Sequence, residues 1–345
     1  MSFLLSMQNK FVLFHSSVFS LPVCRQASRH ICSRLIENVC FLVVLSILAV
    51  SCKKFEGDVT NPAFLAIDKL QVCQQSVGAP STDVEGWYTC DIDAVQLVAY
   101  FTGESSESVI GTFQLPCHAP ILYNGTAQYI RVVPVVKQNG IASTRIQYPY
   151  YLDTTIHDVK LTSGQTTYIG TLDTNTHQHV LPIYYKGNNW ITELVYDNFE
   201  PLQTHIAVDT NSDVMWVRND PQGARCGSGY LKVHTPADMS SVSFPITNAI
   251  NVNDPSKVLY LEMDYRSDVQ FRVGIRSSYV SGGQLYSEWV MVLYPREEWG
   301  KIYINLGKLW SQFNHPNTFQ ILFATINSND AGGNTYIDNL KVIAL

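Results

Sequence analysis

The sequence predicts an all-β protein built of two β-sandwiches. Three observations carry that prediction. Apolar residues recur with a period of two, turn signals return at short intervals, and no stretch of the 345 residues sustains a long helical period. The composition agrees, with 46% hydrophobic and 15% charged residues, and with 19 Tyr, 15 Phe and 6 Trp. Flat aromatic side chains suit a pleated surface. A chain this rich in aromatics has the material for real cores, unlike a disordered one.

The first sandwich is expected over residues 63–196. Val95, Leu97, Ala99 and Phe101 alternate with Gln96 and Tyr100, the pattern of a half-buried strand. Tyr129 to Val136 is a valine-rich run whose Pro134 predicts an edge strand or a bulge. Turns are marked at Gly103-Glu104, Asn124-Gly125, Asn139-Gly140 and Ser163-Gly164, and a loop at Lys186-Gly187-Asn188-Asn189. The second sandwich is expected over residues 197–345, opening near Asn198-Phe199-Glu200-Pro201. There Leu259, Leu261, Met263 and Tyr265 alternate with Glu262, Asp264 and Arg266. Phe271, Val273 and Ile275 alternate with Gln270, Arg272 and Arg276, and Ile302, Ile304 and Leu306 with Lys301, Tyr303 and Asn305. Phe319, Ile321 and Phe323 follow, then a turn at Ala331-Gly332-Gly333-Asn334 and a last strand to Ala344. Such alternation predicts antiparallel sheets with one face on the core and the other in water. Two of them would pack about 10 Å apart.

Ahead of the sandwiches, Val39 to Val50 is an uncharged apolar run preceded by Arg25, Arg29 and Arg34. Twelve residues fall short of the roughly 20 that span a bilayer. A basic region, a short apolar region and small residues at its end form a secretory signal. Leu48-Ala49-Val50-Ser51-Cys52 resembles a lipobox, in which the cysteine is acylated and becomes the new N-terminus. That resemblance implies a bilayer anchor at Cys52, since two acyl chains hold where one is marginal. A plain signal peptide or an uncleaved anchor are the alternatives. Residues 1–52 form the signal region, whose start is expected further downstream, and residues 53–62 a short polar tether. The acidic residues in Lys53-Lys54-Phe55-Glu56-Gly57-Asp58 resemble those behind the cysteine of Bacteroidetes-type surface lipoproteins. The expected location is the outer membrane, on its cell-surface or periplasmic face. The chain carries a net charge of −6, and removing residues 1–52 leaves 19 basic against 28 acidic groups, a net −9. That balance opposes nucleic-acid binding, which needs Lys and Arg against phosphates. It also opposes docking on anionic lipid through charge.

Two further resemblances follow from motifs. Phe199-Glu200, Trp299-Gly300-Lys301-Ile302-Tyr303-Ile304-Asn305-Leu306 and Tyr336-Ile337-Asp338-Asn339-Leu340-Lys341-Val342 resemble the opening, middle and closing strands of a galactose-binding-like jelly roll, the fold of many carbohydrate-binding modules. Gly111-Thr112-Phe113-Gln114-Leu115-Pro116 and Tyr148-Pro149-Tyr150 resemble an immunoglobulin-like or PEGA-like β-domain of Bacteroidetes lipoproteins, for which no activity is implied.

The chemistry was weighed residue by residue. Cys73, Cys90, Cys117 and Cys226 follow the signal region. An exported chain permits a Cys73–Cys90 clip across a turn-rich segment, with four reduced, buried thiols as the equal alternative. The jelly-roll resemblance implies a structural calcium at Glu200 and Asp338, although calcium takes six to eight oxygens and two are in hand. His177 and His179 lack a third metal ligand. No H-E-x-x-H, G-x-S-x-G or phosphate-binding glycine loop is present, and Glu262 with Asp264 is an ordinary same-face strand pair, so the chain is expected not to be an enzyme. Sugars stack their C–H faces on aromatic rings. Trp216, Trp289, Trp310, Tyr286 and Tyr294, with Arg272 for hydrogen bonds, are the candidate platform, and Trp299 is expected in the core. The leading expectation is a non-catalytic, cell-surface glycan-binding lipoprotein with polysaccharide as its partner. A structural or adhesion protein docking surface proteins is the alternative, and a glycoside hydrolase is the weakest.

Overall fold

A computed structural model describes residues 61–73, 86–186, 192–201, 210–211, 213–246, 248–278, 285–328 and 331–345. The signal region with Cys52, the tether up to residue 60 and residues 187–190 of the predicted loop lie outside the described residues. Thr60–Leu345 forms one compact unit. No helix among the described residues is long and apolar enough to cross a membrane.

The first half of the unit contains β1 (Ala63–Ile67), β2 (Lys69–Cys73), β3 (Ala94–Phe101), β4 (Ser108–Gln114), β5 (Cys117–Ile121), β6 (Gly125–Lys137), β7 (Arg145–Gln147), β8 (Thr154–Leu161), β9 (Thr166–Tyr168), β10 (Thr171–Asp173) and β11 (Gln178–Tyr184). A five-stranded sheet runs β4-β3-β6-β7, with β8 also on β6, and two small sheets run β5-β1-β9 and β10-β11-β2. Leu65, Ile67, Val95, Leu97, Ile130 and Val132 fill the core of this half. Pro134 sits inside the central β6, opposite Val95, where the neighbour on the other side changes from β8 to β7. Its missing N–H therefore falls in a gap between partners, the tolerance expected of proline at an interrupted ladder.

The second half contains β12 (Thr192–Asp197), β13 (Val214–Val217), β14 (Tyr230–Thr235), β15 (Ile250–Asn251), β16 (Leu259–Ser267), β17 (Gln270–Ser278), β18 (Leu285–Leu293), β19 (Arg296–Asn305), the helix α1 (Gly307–Gln312), β20 (Thr318–Ile326) and β21 (Gly333–Ala344). A six-stranded sheet runs β13-β14-β21-β16-β19, with β12 also on β21, and a four-stranded sheet runs β15-β20-β17-β18. Leu261, Met263 and Ile304 from the first sheet meet Phe271, Val273, Ile275 and Phe323 from the second in a separate core. The described residues are thus all-β sandwich layers, as the alternation predicts.

One expectation is overturned. The polar face of β16, β21 and the second half of β19 is not in water but under the first half of the unit. Met215 on β13 and His234 on β14 stay exposed. Tyr260, Tyr303 and Ile343 join the first core, and Glu262, Asp264, Lys301 and Lys341 are all buried. Charges survive there because they are paired. Glu262 accepts hydrogen bonds from the hydroxyls of Tyr148 (2.6 Å) and Tyr185 (2.8 Å), and lies 3.3 Å from Lys301 and 3.2 Å from Lys341. Lys341 also donates to the Trp87 carbonyl at 2.8 Å and sits 3.9 Å from the centroid of its ring. Thr89 accepts from Lys301 (3.0 Å) and donates to Asp264 (2.6 Å). Burial alone would raise the Glu262 carboxyl, but Lys341, Lys301 and the two tyrosines hold it below its ordinary value. Burial pushes Lys341 down, to about 7, against the pull of Glu262. The chain reaches this position through Gly86, at φ +91°, where a Cβ would lie 1.7 Å from the Asn339 Oδ1.

Candidate functional site

The four-stranded sheet turns its other face away from both cores. Along β17 the core-side residues are Phe271, Val273 and Ile275, so Arg272, Gly274 and Arg276 point outward. The register sets their neighbours. Arg272 lies between Val292 and Ala324, Gly274 between Trp289 and Leu322, and Arg276 between Ser287 and Gln320. A bulge on β18, between Met291 and Trp289, realigns that strand. Bulges re-aim side chains, and this one returns Trp289 to the outer face while its neighbour Val290 packs toward the core.

The result is an aromatic ring laid over a glycine. A Cβ on Gly274 would come within 2.9 Å of the Trp289 ring and 2.2 Å of the Glu288 carbonyl oxygen. Only a residue without a side chain lets the ring and the bulged strand approach so closely. The Arg272 guanidinium carbon stands 5.0 Å from the Trp289 ring centroid. That distance is within cation–π range, so the guanidinium lies over the ring and draws on its π face. Trp289 and Arg272 are both half-buried, which fixes them while leaving part of each in water. A flat apolar surface flanked by a rigid multiple donor can hold a sugar ring by its C–H face and its hydroxyls by hydrogen bonds.

Of the residues the sequence singled out, the structure brings Trp289 and Arg272 together. Tyr286 (48% exposed) stands near the start of β18, opposite Ser277, and Tyr294 (68% exposed) just beyond its end. Tyr286 shares the face of Ser277, in the series of Phe271, Val273 and Ile275, and so is not on the outer face with Trp289. Trp216 is elsewhere, on β13 of the six-stranded sheet, half-buried against the second core, 6.5 Å from Phe199 and beneath Arg218. Trp310 is a correction. It lies in α1, 1% exposed, donating its indole N–H to the Pro316 carbonyl at 3.0 Å, and is a core residue. Trp299 is a correction in the other direction. It is half-buried rather than core, and donates to the Gly223 carbonyl at 3.1 Å. Gly274, Arg276 and Gln320 were not singled out as site residues. The sequence places both arginines outward, but their relation to Trp289 needs the β17–β18 register and the bulge.

The remaining candidates have other tasks. Cys73 and Cys90 are free thiols, as are Cys117 and Cys226, so the predicted clip is absent. Cys73 lies within weak hydrogen-bonding distance of the Gln71 carbonyl, and burial pushes the Cys90 thiol up. Glu200 accepts the backbone N–H groups of Ser228 (2.6 Å) and Gly229 (2.7 Å), and Asp338 those of Arg225 (3.0 Å) and Cys226 (3.3 Å). Both carboxylates thus grip one loop through N–H donors, which turn a positive end toward any cation rather than lone pairs. Among the described residues no group of three or more His, Cys, Asp or Glu gathers as a metal site. That donor set does not fit the six to eight oxygens of calcium. Glu262 and Asp264, the same-face pair, are sealed in the interior. A separate cleft of about 180 Å³ is lined by Asp91, Asp93, Lys137, Tyr265 and Arg296. Its charges largely answer one another, with Asp93 3.0 Å from Lys137 and 2.7 Å from Arg145.

No family model and no curated protein matches the chain. Solved structures similar to it include TmCBM61 in complex with β-1,4-galactotriose, 17% identical over 40% of this chain and 88% of that one, with a TM-score of 0.28. A mutant of a family 29 carbohydrate-binding module is 11% identical over 45% of this chain and 91% of that one, with a TM-score of 0.29. The family 30 carbohydrate-binding module of a Clostridium thermocellum cellulosomal cellulase is 14% identical over 44% and 92%, with a TM-score of 0.30.

Proposed function

We propose that this protein is a non-catalytic glycan-binding protein, and that the outer face of the β20-β17-β18 sheet is where the glycan lies. The observation that carries the reading is Trp289 laid over Gly274 with Arg272 against it. The ring is held by a bulge and a missing side chain, so little freedom is lost when a sugar stacks on it. The lipobox-like end at Cys52 supports export and anchoring in the outer membrane, which would hold the face near polysaccharide at the cell surface. The test is retention of the purified protein on a panel of soluble and insoluble polysaccharides. Retention on a glycan is expected, and Trp289→Ala should weaken it at least about fivefold, taking the about 1–3 kcal/mol per ring known for nucleic-acid bases stacked on aromatics as the scale. Retention unchanged in that variant would move the site elsewhere.

One observation supports a second reading. β18 is the last strand of its sheet, and Leu285 and Tyr286 on it are exposed. A protein partner could add a strand there, taking main-chain hydrogen bonds from the edge. Binding that survives Trp289→Ala and is lost on placing proline within β18 would favour this reading.

A further inference from the structure

Resting on the glycan reading of the outer face, we infer that the glycan is a polyuronate, a polysaccharide that carries carboxylate groups. The outward positions of β17 are Arg272, Gly274 and Arg276, so the ring over Gly274 has one arginine before it and one after it along the strand. At about 3.3 Å per residue the two arginine positions are about 13 Å apart. A sugar resting on the ring thus has a cation within reach on either side.

Among the described residues neither arginine has an acidic partner, and Arg272 has only the Trp289 ring against it. The cross-strand neighbours of Arg272 are Val292 and Ala324, and those of Arg276 are Ser287 and Gln320, none of them acidic. Neither enters an ion pair among the described residues, and the Arg272 Nε is buried without a hydrogen-bond partner. Arg131 meets Glu107 and Asp153 at 2.5 and 3.1 Å, and Arg145 meets Asp93 at 2.7 Å. Arg218 and Arg266, like Arg272, lie over aromatic rings and form no ion pair among the described residues. What sets Arg272 and Arg276 apart is that they flank one half-buried tryptophan on the outer face.

The chemistry of the pair selects a carboxylate. A guanidinium is a planar fork of donors that fits a carboxylate by two parallel hydrogen bonds. A uronic acid carries its carboxylate on the ring carbon next to the ring oxygen, at the edge of the pyranose. A pyranose stacked on Trp289 would present that group sideways, toward the strand positions that Arg272 and Arg276 occupy. Neutral sugars would use the same ring but leave both charges unanswered.

The experiment compares polygalacturonate with its methyl ester, which keeps the backbone and the stacking faces and masks the carboxylates. Dextran and dextran sulfate test a neutral and a sulfated chain. The intact protein is run against each, beside Arg272→Gln, Arg276→Gln and Trp289→Ala, with unfolding midpoints recorded for all. Polygalacturonate should bind at least about tenfold tighter than the methyl ester, the ratio one charge-assisted bond supplies. Arg276→Gln should cut that ratio to about threefold or less. Raised salt should weaken polygalacturonate binding and leave methyl-ester binding unchanged. Equal binding to both esters, lost in Trp289→Ala and unchanged in the arginine variants, would overturn the inference and leave the glycan site standing. Tighter binding to dextran sulfate than to polygalacturonate would overturn the carboxylate assignment. No binding to any of the four, with the protein folded, would overturn the inference, and a wider panel of neutral glycans then decides the underlying reading on its own.

Discussion

Glu262→Gln isolates the charge at the centre of the buried network. The substitution keeps the shape of the side chain and one carbonyl acceptor for Tyr148 or Tyr185, and removes the negative charge 3.3 Å from Lys301 and 3.2 Å from Lys341. Two lysines then lie in the interior with Asp264 as the remaining nearby anion, and Asp264 already accepts from Thr89 and Asn339. Breaking a buried pair from one side costs about 3–5 kcal/mol, because the charge left behind has neither water nor partner. With a denaturant slope of about 3 kcal/mol/M the urea midpoint should fall by about 1–1.7 M at pH 7. The pH dependence has a definite sign. A lysine whose folded value lies below its unfolded value holds fewer protons folded than unfolded between the two, so stability rises with pH there. Lys341, already down to about 7, moves lower still once Glu262 is neutral. The deficit of the variant should therefore be smallest near pH 9.5 and grow as the pH falls through 7 toward 5.5. There Lys341 is charged and held by Glu262 in the native protein and has no such partner in the variant. A deficit under about 1 kcal/mol, or one that does not change over that range, would refute the reasoning that Glu262 carries a charge the lysines need.

Gly274→Ala should lower stability by about 1–3 kcal/mol, as overpacking does, and weaken glycan retention with it, since the added Cβ meets both the Glu288 carbonyl and the Trp289 ring; calorimetry and the retention assay report each. Trp289→Ala should change stability by less than about 1 kcal/mol, the ring being only half-buried, so that its loss of retention is read against a folded protein. Glu200→Ala strands the N–H groups of Ser228 and Gly229 and should cost about 2–3 kcal/mol in urea unfolding, with a raised rate of amide exchange at those two residues. Adding a reductant should leave the unfolding midpoint where it is, because Cys73, Cys90, Cys117 and Cys226 are free; a drop would reveal a bridge among them.

Period-two alternation located the strands of the second core well. Phe271, Val273 and Ile275, and Leu259, Leu261 and Met263, face it as the pattern requires. The same pattern misread the opposite face of β16. Polar residues at alternate positions mean water only if nothing else covers them, and a strand's own sequence does not record what packs on its far side. The evidence lay in other strands. Lys341 on β21 stands opposite Glu262, and Lys301 on β19 opposite Asp264, a complementarity visible only once the register is known. Trp310 went astray because α1 has six residues, too few to show a helical period that would turn the ring inward. At the platform, Trp289 and Arg272 were identifiable as residue types able to bind sugar. What makes them a site is the pairing of Gly274 with Trp289 across a bulge, which no local pattern announces.

Because the middle of the six-stranded sheet, β16, β21 and the second half of β19, is buried on both sides, it belongs to two cores at once. A recombination break between residues 196 and 197 would shorten β12 to almost nothing and strip Tyr148, Tyr150, Tyr185 and Thr89 from their seats on that sheet. The carboxyl-terminal fragment would carry Glu262, Lys301 and Lys341 on a bared face, and the amino-terminal fragment an unfilled ring of tyrosines. Each fragment is the other's best solvent. The segment that holds Trp289 is therefore expected to fold poorly when cut from residues 61–196, whose tyrosines cover its charged face.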